Sequence, residues 1–491
     1  MRVLFIDPPS PTGGATEFGE KEKLASPNMG IIYIATYLKS RTDADVLVID
    51  MLHNNLSFSS LSAVVKDFQP SLVGITSKTM NILSSYKVAG IIKAISPKTV
   101  IIIGGAHPTA LPQHTLNECA DIDAVVVQEG ENTCLELYNR MKEGYGTHRE
   151  CFVNLTGVVW RDKFGEIQTN KERELISDLD SLPFPDLSIV DYKRYRRVYN
   201  PTNYRFQYLY PVFASRGCPF KCTFCMPLLG RKHRIRSIDH ILAEIELLNK
   251  RYNAKRIYFE DSLFCSRKEW FERFCEMYMK RGLHKKVQWG FETRIDTANS
   301  EMFRLAREAG CIYTYFGVES GSELVLRKAN KGYSRDEIIE KVSAAKHAGI
   351  AEVGVSIILG LPYETKETIE ETLRILEVLP YDDAGINILD VYPGTAVFDM
   401  ADKGEGGLRW IEGKRMNWAA YSRTEAMVEV NDLSAPNLVL LRKKALRIVT
   451  AKARRDPLNL NLKRLAYVIE LIKTDRRKLW RSISGTYKGE K

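Results

Sequence analysis

From its first residues the chain alternates short Val/Ile-rich runs with helix-length amphipathic segments. Apolar runs at 3–7, 46–50, 72–76, 100–104 and 124–127 are separated by helical patterns near 30–39, 58–68, 82–95, 112–119 and 131–143. Near-continuous apolar runs suit strands buried on both faces, so residues 1–150 read as a doubly wound, Rossmann-like parallel sheet. Such sheets bind ligands beyond the carboxyl ends of their strands. The loops expected there are Asp7-Pro8-Pro9, Thr76-Ser77-Lys78-Thr79, residues 104–109 and residues 128–131. Gly104, Gly105 and Gly130 let the backbone approach a ligand closely.

Residues 151–205 read as a connector, with a small hairpin turning at Lys163-Phe164-Gly165 and a Pro-punctuated stretch at 179–186. The pattern restarts at about 206. Six strand-like runs follow, at 209–215, 256–260, 287–293, 313–318, 352–359 and 385–392, with helical patterns between them. Ser237 is placed to cap one of those helices, and Ser334 with Glu337 forms a capping box opening another. These runs make residues 206–400 a second β/α unit. Residues 401–491 lack a strand pattern and read as a mainly helical extension. Trp410, Trp418 and Tyr421 there suit either a cap on the second unit or ordinary core packing. Two basic amphipathic helices are predicted near 435–455 and 459–482.

Length and composition narrow this picture. A chain of 491 residues with 44% apolar and 27% charged residues has room for several ordinary globular domains. No run of eighteen apolar residues occurs, so no membrane span is expected. Six of the nine cysteines are scattered, which argues against a secreted disulfide scaffold and for a cytoplasmic protein. The net charge of +10 is concentrated at the end: residues 442–491 hold sixteen Lys and Arg against four Asp and Glu. A solvated helical face explains that tail without nucleic acid, and peripheral membrane contact is the other reading.

The chemistry concentrates at 214–225, where Cys218, Cys222 and Cys225 stand in C-x3-C-x2-C spacing after an apolar strand. Thiolates are soft ligands that suit an iron–sulfur cluster or zinc. Structural zinc wants a fourth ligand nearby, for which His233 is the nearest candidate. It sits in a cationic run with Arg231, Lys232, Arg234 and Arg236. A [4Fe–4S] cluster held by three cysteines leaves one iron open to a ligand that is not protein.

This spacing, with Phe224 before the third cysteine, resembles the signature of radical S-adenosylmethionine (radical SAM) enzymes. Asp7-Pro8-Pro9, the block 26–33, the Gly-Gly-x-His-x-Thr of 104–109 and the Glu-Gly-Glu of 129–131 resemble the cobalamin-binding domain that some of these enzymes carry. The Leu-Asp-x-Leu-Pro linker and six β/α units resemble the same family's connector and partial (β/α)6 TIM barrel. The resemblance implies three cofactors: a [4Fe–4S] cluster on Cys218, Cys222 and Cys225, S-adenosylmethionine, and cobalamin. It implies that cobalamin meets Pro8, Thr76, Ser77, Gly104, Gly105, His107, Thr109, Glu129, Gly130 and Glu131. The Asp-x-His-x-x-Gly loop that supplies histidine to cobalt in other cobalamin proteins is absent. His107 is therefore expected against the corrin edge or tail, with no histidine on cobalt. S-adenosylmethionine is expected to meet Phe224, Glu260, Arg294, Glu319 and Ser320, the arginine suiting its carboxylate. Glu364 falls one residue late for the family pattern and is not read as a ligand.

The activity implied is methyl transfer from methylcobalamin to a carbon radical, which a 5′-deoxyadenosyl radical makes by removing hydrogen. Rearrangement, ring formation or oxidative cyclisation with the same cofactors is the alternative. A tRNA methylthiotransferase would need three further cluster cysteines, and Cys119, Cys134 and Cys151 are not at neighbouring strand ends. A small-molecule or natural-product-type substrate and an external one-electron reductant, flavodoxin or ferredoxin, are the partners implied. No general acid or base is assigned.

Overall fold

A computed structural model describes residues 1–10, 25–144, 149–195, 197–200, 205–264, 266–421 and 425–453. Five parallel strands build the first sheet: β1 (Arg2–Asp7), β2 (Asp45–Asp50), β3 (Leu72–Thr76), β4 (Val100–Gly104) and β5 (Ala124–Val126). Their order is β2-β1-β3-β4-β5, a doubly wound arrangement whose strand order reverses between β1 and β3. Alternate strand residues enter different layers. Leu4, Ile6, Val73, Ile75, Ile101 and Ile103 pack under the helices Phe58–Phe68 and Ile82–Ile95. Val3, Phe5, Ile102 and Val126 meet Met29–Arg41 and Glu131–Lys142 on the other face. Both faces are covered, which is why these strands carry no polar alternation.

The connector hairpin, β6 (Val158–Arg161) and β7 (Ile167–Thr169), does not stand apart from this sheet. It pairs antiparallel onto β5 and completes a seven-stranded sheet. A second small hairpin, β8 (Val198–Asn200) and β9 (Arg205–Gln207), precedes the barrel.

The barrel sheet is wholly parallel, in the order β10 (Tyr210–Val212), β13 (Arg256–Phe259), β14 (Gln288–Thr293), β15 (Cys311–Glu319), β16 (Glu352–Leu359) and β17 (Asp383–Ile388). Between β10 and β13 lies a two-stranded antiparallel ribbon, β11 (Ser215–Arg216) with β12 (Arg234–Ile235), which carries the cysteine loop. Capping follows the sequence reading: Ser237 accepts from the His240 amide, and Ser334 with Glu337 forms a complete capping box.

The interior of this barrel is not the layered aliphatic core of a closed one. Tyr258, Tyr313, Tyr315, Ser356 and Asn387 are part-exposed and Glu292 is exposed, although all lie on strands. Glycine makes the room: a Cβ on Gly354 would stand 2.3 Å from the Tyr315 ring, and one on Gly385 2.5 Å from its hydroxyl.

Beyond β17 the region read as free of strands holds an antiparallel pair, β18 (Leu408–Trp410) with β19 (Val428–Val430). The helix Ala435–Ala453 then packs on the β17 edge. Three of its cations reach the barrel: Arg442 donates to the Ile386 carbonyl, Lys452 to the Glu377 carbonyl, and Lys444 pairs with Glu370 at 2.6 Å. The second helix expected near 459–482 lies outside the described residues. Among the described residues no helix is long and apolar enough to cross a membrane.

Candidate functional site

The ribbon β11–β12 forces its intervening chain into a compact loop. Cys218 donates its amide to the Gly230 carbonyl, Cys225 to Cys222, and Thr223 to Ala329. Gly217 has φ +85°, and any Cβ there would stand 2.3 Å from the Lys232 carbonyl oxygen, so only glycine fits. The loop presents Cys218, Cys222 and Cys225 as free thiols. Enclosure by the loop raises the Cys225 thiol pKa, and the neighbouring Cys222 and Cys218 raise it further. Arg294 donates to the Cys222 sulfur at 3.1 Å. No three His, Cys, Asp or Glu side chains among the described residues converge on a single ion. His233 uses both ring nitrogens elsewhere, on the Leu263 carbonyl and the Ser266 hydroxyl. The donor set fits a cluster better than mononuclear zinc.

Around that loop stand the residues expected to meet S-adenosylmethionine. Phe224 lies under the Lys331 ammonium, 5.4 Å from ring centroid to nitrogen. Glu319, at φ +65°, pairs with buried Lys331 at 2.9 Å and accepts from Ser356 at 2.8 Å. The left-handed backbone of a non-glycine residue is strained, a feature that clusters at functional sites. Glu260 accepts from Ser26 at 3.0 Å, joining the barrel rim to the first domain. Arg294, expected to meet a carboxylate of S-adenosylmethionine, already pairs with Asp296 through two bonds, at 2.9 and 2.8 Å. Ser320 is also different. It is fully buried behind the rim, bonded to Thr372 and to the Ser322 amide. Glu364 is buried and accepts from the Gly360 amide, closing its own turn, and burial lifts its pKa to about 8.

The first domain contributes a cavity of about 270 Å³ between its sheet and the helices Met29–Arg41 and Glu131–Lys142. Phe5, Ile31, Ile34, Ile102, Val126 and Cys134 give it apolar walls, and Thr76, Ser77, Lys78, Gln128 and Glu129 add polar ones. Gly104, Gly105 and Gly130 line it, and a Cβ on Gly105 would stand 2.4 Å from the Ser77 carbonyl oxygen. Three expected residues do not line it. Pro8 accepts from Asn81 through its carbonyl, and Thr109 accepts the Gln128 amide. His107 turns the opposite way, bonding Thr79 at 3.2 Å and meeting the Trp418 ring edge-on at 4.6 Å.

Glu129 and Glu131 line the cavity but are already paired. Arg216 reaches Glu129 at 3.0 Å and Glu131 at 2.7 Å, and Arg234 adds two contacts of 2.9 Å to Glu129. All four residues are buried. The two arginines sit opposite each other on the ribbon, so the base of the cysteine loop is bolted to the cavity wall. Asp261 braces the same base from the loop after β13, accepting from Ala214 and Ser215. Sequence reading gave no role to Arg216, Lys331 or Asp261. Each could have been flagged only as a charged residue beside a motif, a signal too common to single one out.

Burial pulls the His107 pKa down to about 4 from an ordinary 6.5. A folded pKa below the unfolded value means the contribution to stability is complete above pH 6.5. It is lost as pH falls from 6.5 toward 4, because the unfolded chain takes the proton first. His107→Phe keeps a ring against Trp418 and removes the titration. Its loss of stability on acidification should be shallower than that of the parent protein, by on the order of 3 kcal/mol at pH 4. Urea midpoints followed by tryptophan fluorescence check this, and parallel pH curves would refute it.

Residues 212–376 match the Radical SAM superfamily and residues 21–138 match the B12 binding domain. An uncharacterized methyltransferase of Pyrococcus horikoshii is 31% identical over 447 residues, covering 91% of each chain. The anaerobic magnesium-protoporphyrin IX monomethyl ester cyclase of Rubrivivax gelatinosus is 32% identical over 82% of this chain and 71% of its own. In fold the chain resembles the radical S-adenosylmethionine methyltransferase TsrM of Kitasatospora setae, solved with cobalamin and a [4Fe–4S] cluster. That likeness has a TM-score of 0.68 at 16% identity, over 92% of this chain and 88% of the other.

Proposed function

Because the chain belongs to the radical SAM enzymes that carry a cobalamin-binding domain, we propose that it methylates a carbon of a small-molecule or natural-product-type substrate. Its cofactors are a [4Fe–4S] cluster, S-adenosylmethionine and cobalamin. When bound, the cluster and S-adenosylmethionine supply hydrogen abstraction, and cobalamin supplies the methyl group. One observation carries the reading: the cysteine loop and the first-domain cavity share a wall, joined through Arg216, so two cofactor regions serve one chamber.

The residues divide the work. Cys218, Cys222 and Cys225 would hold the cluster, and Arg294 donates to the Cys222 sulfur beside it. Glu260 and Glu319 offer carboxylates at the rim for the ammonium and ribose of S-adenosylmethionine. Lys331 and Ser356 hold Glu319 in its strained position. The first-domain cavity would hold cobalamin, its apolar side chains taking an apolar part of the cofactor and the glycines at 104, 105 and 130 letting it approach the backbone. His107 is held on Thr79 and Trp418 and would not reach a group bound in that cavity. Glu292 and Tyr258, bonded at 2.9 Å inside the barrel, face the space left for substrate. An external one-electron reductant and a cytoplasmic setting complete the reading.

Anaerobic turnover with methyl-labelled S-adenosylmethionine decides the reaction. Equal amounts of methylated product, 5′-deoxyadenosine and S-adenosylhomocysteine are expected. Formation of 5′-deoxyadenosine alone, with no label in product, would replace methylation by the cyclising or oxidising alternative. Similarity to the Rubrivivax gelatinosus cyclase favours that second reading.

A further inference from the structure

The cationic run around the cysteine loop is divided by the fold into two sets. Arg234 and Arg236 turn inward and are buried on Glu129 and Glu244. Arg231 and Lys232 remain exposed, as does Lys221 across the same loop. Arg267 is also exposed, and its chain neighbour Ser266 bonds the His233 ring at 2.8 Å. Among the described residues none of these four makes an ion pair, although many other surface cations do, such as Lys142 with Asp43 and Lys346 with Asp382.

The patch is held in place. Arg231 donates to the Phe220 carbonyl on the far side of the loop, and Asn330 donates to the Lys221 carbonyl at 3.2 Å. Lys221 is the chain neighbour of Cys222, so their Cα atoms are about 3.8 Å apart. Unpaired like charges on a compact loop cost stability through mutual repulsion. They are explained when an oppositely charged surface covers them.

We propose that Lys221, Arg231, Lys232 and Arg267 form the docking surface for an acidic one-electron carrier protein that reduces the cluster. The proposal rests on the cluster reading above. In the step one electron leaves the carrier and enters the cluster; the carrier is oxidised, the cluster is reduced, and no bond or proton changes hands. Complementary charge speeds such encounters by about 10-fold or more at low salt and loses that advantage as salt rises.

The test uses the anaerobic, cluster-loaded full chain with flavodoxin hydroquinone as the probe, and photoreduced 5-deazariboflavin as an uncharged reductant. The triple variant Lys221→Glu, Arg231→Glu, Lys232→Glu is expected to be reduced by flavodoxin about tenfold more slowly at low salt, with its salt dependence flattened. Deazariboflavin should reduce both proteins within about twofold. Equal flavodoxin rates and equal salt dependence in the two proteins overturn the proposal. Should the triple variant not load iron, anisotropy titration of labelled flavodoxin against cluster-free parent and Lys232→Gln proteins decides the same point. Weaker, less salt-dependent binding by the variant supports docking, and unchanged binding refutes it. If neither reductant reduces the parent protein, the cluster reading fails, and the same titration still settles docking.

Discussion

Alanine in place of Cys218, Cys222 or Cys225 should give a folded protein that holds no [4Fe–4S] cluster and cleaves no S-adenosylmethionine. The loss is expected to be complete, since each cysteine ligates one iron and two thiolates leave a second iron open. The fold survives because the loop is held by backbone bonds, Cys218 to Gly230 and Thr223 to Ala329, and by the ribbon, none of which uses a sulfur. Iron and sulfide content, electron paramagnetic resonance of the reduced protein and 5′-deoxyadenosine formation measure the effect. Stoichiometric zinc in anaerobically purified protein, or full iron content in any of the three variants, would sink the assignment.

Arg216→Met should cost stability on the order of 3–5 kcal/mol, the usual penalty for leaving a buried carboxylate without its partner. Glu129 keeps Arg234, but Glu131 has no other ion-pair partner among the described residues. In the parent protein burial disfavours the Arg216 charge, and Glu131 and Glu129 outweigh that by favouring it. Arg216→Lys recovers only part of the loss, because an ammonium does not fork between two carboxylates. Adding Glu131→Gln to Arg216→Met removes the orphaned charge and should recover stability, a coupling that a double-mutant cycle measures. Cobalamin affinity should fall together with stability, since residues 128–131 line the cavity. A urea midpoint shift worth less than about 1 kcal/mol would show that Arg216 is not the bolt between the two units.

Strand positions in the first sheet were legible because burial on both faces writes a continuous apolar run; in the barrel the runs overlap the strands but miss some ends, as where 385–392 meets Asp383–Ile388. The hairpin β6–β7 was legible as a hairpin, yet its partner was not. Pairing with β5 depends on which edge the fold leaves open, which no local pattern encodes. The pair β18–β19 escaped notice because three-residue strands are too short to show a period.

What the sequence determined by itself is whatever depends on covalent spacing or local period: two β/α units, a loop carrying three thiols, and glycines where the backbone turns tightly. Tertiary structure alone decided where side chains point. Arg234 meets Glu129 across 105 residues, and Trp418 donates to Glu118 across 300. His107 and Ser320 lie in motifs legible in the sequence, but their partners are not legible there: His107 meets Thr79 and Trp418, and Ser320 bonds Thr372. The physical reason is that a side chain's direction follows from the backbone angles and neighbours of one position. A shift of one residue along a strand moves it to the opposite face. A buried charge is settled by a partner that the chain supplies from elsewhere, so its role is written only in the folded molecule.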